Sequence, residues 1–180
     1  MKRITLVLLA LLLTQSIYAM CRGNKSRIES PDKRLEATFR LHRGTPMYSL
    51  SFDNELIIKD APLGILTSKW DMQKGLAYCG AEYSSADSTW KSVWGAQEDI
   101  HDCYNSATIK LTTQNQRDEK GILYIDMRLY NDGLAIRYRI ECEGSTQEVE
   151  ILDEATTFKM CGDYNTFWIA GSYDDDEFAY

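Results

Sequence analysis

Apolar and polar residues alternate with a period of two in several short stretches of the chain. The pattern covers residues 35–41, 48–52, 108–112 and 148–152. Strands that bury one face and expose the other give this alternation. Turn residues separate the stretches, namely Gly44-Thr45-Pro46, Asp53-Asn54, Asp118 to Gly121, Asp132-Gly133 and Glu143-Gly144-Ser145. Beyond residue 19 no long stretch shows helical spacing of apolar residues, so we predict an all-β fold, an antiparallel β-sandwich.

One hairpin can be predicted in detail from this alternation. Residues 122–130 and 134–140 form its two strands on either side of Asn131-Asp132-Gly133. A two-residue turn at Asp132-Gly133 places Asn131 opposite Leu134 and keeps the apolar side chains on one face. A three-residue turn would instead place Arg137 on that face, so we predict the two-residue turn.

The predicted register also fixes the charged face of this hairpin. It places Asp126 opposite Arg139 and Arg128 opposite Arg137. Two like charges directly opposite each other are unfavourable in a sheet. We therefore expect an acid from a neighbouring strand beside the arginines, with Glu148 and Glu150 as the candidates.

The first 19 residues have the three parts of a secretory signal peptide. A basic start precedes an apolar run from Ile4 to Leu13, and a more polar stretch ends at Ala19. The apolar run is too short to cross a bilayer as a helix, so we expect no transmembrane segment. We predict a helical signal peptide over residues 1–19, a flexible segment over 20–29 and the sandwich domain over 30–180. Export to the periplasm follows, with a lipid anchor at Cys21 as the alternative.

The charge of the chain argues against one class of partner. The 180 residues carry a formal net charge of −7, and removal of residues 1–19 takes away Lys2 and Arg3 and no acid, which gives −9. A chain this acidic repels phosphate backbones, so we expect no nucleic-acid partner.

Four cysteines follow Cys21 in the sequence, at Cys79, Cys103, Cys142 and Cys161. Export permits disulfides, and four thiols allow three pairings. No pair has the close spacing of a zinc site. Free thiols and a single bridge both stay open on this evidence.

The two histidines, His42 and His101, do not belong to a recognisable catalytic motif. His101 precedes Asp102 and Cys103, but neighbours in a strand point to opposite faces, so His101 and Asp102 do not converge. We interpret both histidines as surface or loop residues. We assign no catalytic residue to the chain, and its substrate-binding residues stay unknown.

The tryptophans allow two interpretations. Exposed rings could stack on the apolar faces of sugars, whereas buried rings would fill a core or a domain interface. The four residues are Trp70, Trp90, Trp94 and Trp168.

Four acids in a row, Asp174 to Glu177, follow the aromatic segment 167–170 near the end of the sequence. Carboxylate oxygens suit Ca²⁺, which takes six to eight ligands. The run lacks the spacing and the central glycine of an EF-hand loop, and a regular strand would point at most two of the four carboxylates at one ion. By residue type alone it is a solvated charge run.

Several segments, taken together and in order, resemble the N-terminal domain of glycoside hydrolase family 97. Residues 30–180 carry the resemblance. The matching pieces are Ser30-Pro31-Asp32, residues 46–50, Leu63-Gly64-Ile65, Thr89 to Gly95 with its paired tryptophans, Tyr104-Asn105, Tyr130 to Tyr138 around Asn-Asp-Gly, and Phe167 to Glu177.

The resemblance implies a partial β-sandwich of the galactose-mutarotase-like super-sandwich type. In the family this domain packs beside a catalytic (β/α)₈ barrel and helps to shape its active site. The position matching Glu177 supplies one ligand to a calcium ion that the barrel holds. The family's members are exported α-glucosidases and α-galactosidases, which act on α-linked oligosaccharides.

We therefore expect a domain that ends before its catalytic barrel and does not hydrolyse glycosides by itself. The calcium of the intact enzyme should not bind tightly to this chain alone. The alternative is a free-standing carbohydrate-binding or structural β-sandwich without enzyme activity.

Overall fold

Strand pairing follows chain order in most of this molecule. The computed structural model describes residues 24–94, 98–114, 120–142 and 148–167. Within these ranges it is all-β, without a helix. The ten strands are β1 (Lys25–Glu29), β2 (Leu35–His42), β3 (Thr45–Phe52), β4 (Glu55–Pro62), β5 (Ile65–Thr67), β6 (Leu76–Lys91), β7 (Asp99–Thr113), β8 (Gly121–Leu129), β9 (Leu134–Cys142) and β10 (Ile151–Glu154).

The strands form two four-stranded antiparallel sheets and one short pair. The first sheet has the order β1-β2-β3-β4, the second has the order β6-β7-β8-β9, and β10 pairs with β5. Buried side chains of both large sheets belong to one hydrophobic cluster, with Phe39 and Tyr48 from the first and Ile109 and Ile125 from the second. The two sheets therefore pack against each other as the layers of a β-sandwich.

In the first sheet, the β2–β3 and β3–β4 hairpins have tight turns with left-handed backbone. Arg43 and Gly44 have φ of 50° and 82°, and Asp53 and Asn54 have φ of 49° and 68°. Positive φ at both central residues matches the right-handed twist of the flanking strands. The predicted turn at Asp53-Asn54 is confirmed, whereas Thr45 and the proline after it lie inside β3 rather than in the preceding turn.

The N-terminal strand corrects one predicted boundary. We expected residues 20–29 to be flexible, but β1 pairs with β2 from Lys25 onward. Ser26 and Ile28 are buried on the inner face of that strand. The alternation from Lys25 to Glu29 is short, yet it buries two side chains against the sandwich, which is why this segment is a strand. The predicted signal peptide, residues 1–19, and Cys21 lie outside the described residues.

The hairpin of β8 and β9 has the predicted faces but a different register. Leu129 pairs with Leu134, and the N–H of Tyr130 donates to the carbonyl of Gly133 over 2.9 Å. The turn therefore surrounds Asn131-Asp132 instead of Asp132-Gly133, and each partner moves by two residues. A shift of two preserves the side-chain face, so the apolar residues still point into the core.

This register removes the like-charge pair that we expected. Arg137 lies opposite Asp126, and Arg128 lies opposite Ala135. The acid beside the arginines is thus Asp126 of the same hairpin. The predicted candidates for this acid, Glu148 and Glu150, are therefore wrong.

The segment after β10 lies along the outer edge of β4. Backbone N–H groups of Lys59 and Cys161 donate to the carbonyls of Lys159 and Ile57 over 3.1 and 2.8 Å. The Tyr48 hydroxyl donates to the carbonyl of Thr157 over 3.1 Å, and burial raises the pKa of Tyr48 to about 12. These contacts cover an edge that would otherwise present unpaired backbone groups.

Candidate functional site

Three of the segments that carry the family resemblance meet at one end of the sandwich. The backbone N–H of Asp32 donates to Oδ1 of Asn131 over 3.0 Å, although the two residues are far apart in sequence. The Asn105 side-chain amide donates to the carbonyl of Glu29 over 2.8 Å. Each bond joins one sheet to the other. The polar residues of these motifs therefore fix how the two sheets meet.

Aromatic and cationic side chains surround the same contacts. The rings of Tyr104 and Tyr130 lie 5.2 Å apart, and the Arg128 guanidinium lies 4.5 Å from the centre of the Tyr104 ring. The hydrogen bond with Tyr130 raises the pKa of Arg128 above its ordinary value. This stack lies on the outer face of the second sheet.

An open cleft of about 670 Å³ lies beside β1, between the two sheets. Its lining residues include Arg27 and Glu29 from β1, Tyr83 and Ser85 from β6, and Asn105 from β7. Tyr83 is exposed, so the cleft offers an aromatic ring beside a cation and an anion. These polar and charged side chains are compatible with a polar ligand, but they do not indicate its chemical class.

Strands β6 and β7 extend as a ribbon past most of the second sheet, and only Asn105 and Ser106 of this part also pair with β8. We define the outer ribbon as residues 84–91 and 99–106, which pair without interruption from Ser84 with Ser106 to Lys91 with Asp99. Neither strand has a buried residue over this length. The Lys91 ammonium lies 2.7 and 3.2 Å from the carboxylates of Glu98 and Asp99 at the tip.

The tryptophans divide between the core and this ribbon. Trp70 is buried and packs against the start of β8. Trp90 is 51% exposed, and just beyond the ribbon Val93 and Trp94 are 96% and 89% exposed. Trp168 lies outside the described residues. The core interpretation is thus confirmed for Trp70, whereas sugar stacking by the exposed Trp90 and Trp94 stays a prediction.

His101 has a partner that the sequence did not indicate. Its Nε2 lies 2.7 Å from Oδ1 of Asp87 on the neighbouring strand. Asp102 points to the other face of the ribbon, as predicted, and its charge contributes to the raised pKa of Arg128. Cys103 lies directly opposite Asp87, and the donor atoms of Asp87, His101 and Cys103 all lie within 4.8 Å of one another. His42 is exposed at the end of β2.

The charged face of the second sheet is organised around Asp126, which is 8% exposed. Its carboxylate accepts two hydrogen bonds each from Arg137 and Arg139, at 2.8 to 3.1 Å, and one from the Thr108 hydroxyl at 2.8 Å. The Arg139 hydrogen bonds, above all, hold the pKa of Asp126 well below its ordinary value, although burial opposes them. The cluster joins three strands, and we interpret it as structural.

The thiols and the predicted calcium ligand complete the candidates. Among the described residues, Cys79, Cys103, Cys142 and Cys161 form no disulfide with one another. Glu177 and the acids before it lie outside the described residues. Among the described residues no helix is long and apolar enough to cross a membrane.

Comparison with known proteins gives a family match over most of the chain. The family model described as "Glycosyl-hydrolase 97 N-terminal" matches residues 28–180. The match therefore covers every segment that carries the family resemblance, including the acidic run with Glu177.

Solved structures show the same fold. A glycoside hydrolase family 97 enzyme from Pseudoalteromonas sp. strain K8, solved in complex with acarbose and with panose, is 21% identical with a TM-score of 0.68. The alignment covers 76% of this chain and 20% of that enzyme. A β-arabinopyranosidase is 23% identical with a TM-score of 0.68, over 75% of this chain and 21% of that one. The chain thus spans about one fifth of the length of these similar enzymes.

Proposed function

The chain belongs to the N-terminal domain family of glycoside hydrolase family 97, and we propose that it is the non-catalytic sandwich of an exported α-glycosidase. In this proposal a (β/α)₈ barrel outside the chain performs hydrolysis of α-linked oligosaccharides. The sandwich, of the galactose-mutarotase-like super-sandwich type, supports that barrel and helps to shape its active site. Acarbose and panose, bound in the Pseudoalteromonas enzyme, support this substrate class.

The exposed apolar side chains at the outer ribbon carry the interface part of the proposal. Trp90, Val93 and Trp94 lie close together in sequence at the end of a ribbon that has no core of its own. Grouped, exposed apolar residues are typical of a surface that another protein or domain covers. Tryptophan is also enriched where such interfaces gain most of their binding energy. We place the barrel contact here.

Catalysis is the part of the proposal that we assign outside this chain. Glycoside hydrolysis uses two carboxyl groups at a set separation across the scissile bond. The buried carboxylate of Asp126 is held by two arginines and a threonine hydroxyl, which suits a structural charge and not a proton donor. We assign the acid and the base to the barrel.

Calcium enters the proposal through Glu177 alone. One carboxylate offers at most two of the six to eight oxygens that Ca²⁺ takes. The converging donors of the described residues include a sulfur and an imidazole nitrogen, which do not suit this ion. We propose that Glu177 completes a site whose other ligands lie on the barrel.

The gene and its product test the assignment. We expect the reading frame after codon 180 to encode a (β/α)₈ barrel, and the 180-residue chain alone to leave 4-nitrophenyl α-glucoside intact. In the whole enzyme Glu177→Gln should weaken calcium binding, whereas Asp174→Asn serves as its control in the same acidic run. A stop at codon 181 with no barrel, or glycoside cleavage by this chain, would remove the assignment.

Localisation belongs to the same proposal. A signal peptide over residues 1–19 would deliver the protein to the periplasm, and cell fractionation measures where it arrives. Membrane recovery that Cys21→Ser abolishes would favour the lipid-anchored alternative.

Exposure of Trp90 and Trp94 also favours a second candidate function, direct carbohydrate binding. Tryptophan fluorescence titrated with maltooligosaccharides tests it, with Trp94→Ala as the variant. Phe158→Ala is the matched control, because Phe158 is a similarly exposed aromatic residue, at 72%. A flat titration of the wild-type chain would exclude this function.

A further inference from the structure

Three side chains of types that ligate metal ions converge on one face of the outer ribbon. Asp87 lies on β6, and His101 and Cys103 lie two residues apart on β7. Register places Asp87 directly opposite Cys103, and alternation turns His101 to the same face. The backbone therefore fixes the convergence, because any register shift by one residue would separate the three.

We propose that Asp87, His101 and Cys103 bind a thiophilic divalent cation, with Zn²⁺ as the ion that fits best. Zinc takes thiolate sulfur, imidazole nitrogen and carboxylate oxygen, and three protein ligands leave its fourth position to water. Two anionic ligands balance the charge of the ion. The family's calcium chemistry needs hard oxygen ligands instead, so this is a different site with a different metal.

The distances suit a zinc ion after small side-chain rotations. Bonds of about 2.0–2.3 Å place tetrahedral ligands about 3.5 Å apart. The three donor atoms already lie within 4.8 Å of one another, and Nε2 of His101 is 2.7 Å from Asp87. Asp87 and His101 have side chains that are 74% and 64% exposed, which leaves them free to rotate and open to the ion.

Zinc binding at this site releases one proton to solvent. Cys103 binds as thiolate and releases its thiol proton to solvent, as metal binding to cysteine requires. His101 binds through Nε2 as the neutral imidazole with its proton on Nδ1, and Asp87 binds as carboxylate. The hydrogen bond between His101 and Asp87 is replaced by two bonds to the ion.

A bound ion would also add a bond between two strands that are otherwise joined only by backbone pairing and exposed side-chain contacts. The outer ribbon has no buried residue, and an isolated two-stranded ribbon is marginally stable in water. Its exposed ion pairs contribute little to stability. A metal ion that bonds to β6 and β7 together would hold the ribbon that presents Trp90.

Calorimetric titration of the reduced, metal-free 180-residue chain with Zn²⁺ tests the site. We expect one ion per chain, and at least about tenfold weaker binding in Cys103→Ser, His101→Gln and Asp87→Asn, since even an outer-shell change typically costs this much. Cobalt(II) gives an independent readout, because a thiolate–cobalt absorption band should appear in the wild type and vanish in Cys103→Ser.

Matched controls lie close by. Cys79→Ser removes another exposed thiol, His42→Gln removes the other histidine, and Asp102→Asn removes the acid on the opposite face of the ribbon. All three should bind Zn²⁺ as the wild type does. Equal loss in Cys79→Ser and Cys103→Ser, or no zinc binding by the wild type, would overturn the proposal.

Hydrogen exchange distinguishes the ribbon site from zinc held elsewhere. Zn²⁺ should slow amide exchange in residues 84–91 and 99–106 of the wild type and leave it unchanged in Cys103→Ser. Slowing confined to other segments would contradict the proposal. None of these outcomes bears on the glycosidase assignment, which rests on the family match.

Discussion

Strand β7 runs through two environments: its inner half pairs with both β6 and β8, whereas most of its outer half pairs with β6 alone. In its inner half, residues 107–113, every second side chain is buried, including Ile109 and Leu111. In its outer half, residues 99–106, none is buried, although pairing with β6 continues to Asp99. Hydrogen bonds alone thus extend a strand, but only the inner half has apolar burial to stabilise it. The half without a core carries His101 and Cys103, and it pairs with the part of β6 that carries Asp87 and the exposed Trp90.

The largest difference between the halves should appear when the same substitution is made in each. Ile109 is fully buried, whereas Ile100 lies in the outer ribbon opposite Trp90. We expect Ile109→Ala to lower the free energy of unfolding by about 2–5 kcal/mol, because it leaves a cavity in the core. Ile100→Ala should lower it by less than about 1 kcal/mol. Urea unfolding followed by circular dichroism measures both, and equal losses would contradict the contrast.

The charged cluster on the packed sheet should have the next largest effect. Asp126→Asn removes a buried charge that accepts hydrogen bonds from two arginines, and we expect a loss of about 1.5–3 kcal/mol. Asp53→Asn is the control, because its ion pair with Arg34 is about half exposed on both sides, and such surface pairs contribute little to stability. A smaller loss for Asp126 than for Asp53 would show that the cluster does not stabilise the sheet.

The lowered pKa of Asp126 predicts that the free energy of unfolding depends on pH. The pKa of Asp126 is lowered in the folded protein, so its contribution to stability is complete above the unfolded value of about 4. That contribution is lost as the pH falls below about 4 toward the lower folded pKa. The free energy of unfolding should therefore decline less steeply between pH 5 and 2, roughly the titration range, in Asp126→Asn than in the wild type.

Two glycines give a smaller and sharper test of where the chain is tightly packed. A Cβ at Gly121 would lie 2.6 Å from Cε of Met72 and 2.7 Å from the Trp70 ring, whereas one at Gly133 meets nothing within 4 Å. We expect Gly121→Ala to cost about 1–3 kcal/mol through overpacking. Gly133→Ala should stay within about 0.5 kcal/mol of the wild type. If Gly121→Ala leaves the free energy of unfolding unchanged, the core around Met72 and Trp70 is not tightly packed.

The smallest effect should come from the outer ribbon's tip. Trp94 is 89% exposed, so Trp94→Ala should change the free energy of unfolding of this chain by no more than about 0.5 kcal/mol. In an enzyme that contains the barrel the same change should weaken the proposed domain contact. A large loss of stability in the isolated chain would show that Trp94 packs against the sandwich instead.

The sequence predicted the buried halves of the strands well, because alternation reports burial directly. Residues 35–41 and 108–112 lie in β2 and β7 as predicted. Their apolar members face the core. The stretch 148–152 was less informative: β10 begins only at Ile151 and its side chains are exposed. Alternation without burial therefore placed the start of this strand three residues too early.

The hairpin shows what alternation leaves open. It distinguishes odd from even register shifts, since an odd shift moves Arg137 to the core face. It does not distinguish shifts of two, because Leu129 faces the core opposite either Leu134 or Ile136. The turn determines which of these two registers forms, because the N–H of Tyr130 donates to the carbonyl of Gly133 across Asn131-Asp132. That local contact has no signal in the hydrophobic pattern.

The metal-binding cluster was beyond prediction for a related reason. Residues 84–90 are largely polar and have no alternation that would reveal a strand or its register. Asp87 therefore could not be paired with Cys103, and His101 was compared only with its neighbour Asp102. The family motifs, by contrast, were recognisable as an ordered set along the sequence, but only the fold shows their contacts across the two sheets.

Hydrogen exchange along β7 tests the contrast between its two halves most directly. In the full chain, reduced and freed of metal, amides of residues 107–113 should exchange at least about a hundredfold more slowly than those of 99–105, because local opening is easiest where apolar contacts are fewest. Equal protection along the whole strand would contradict the account.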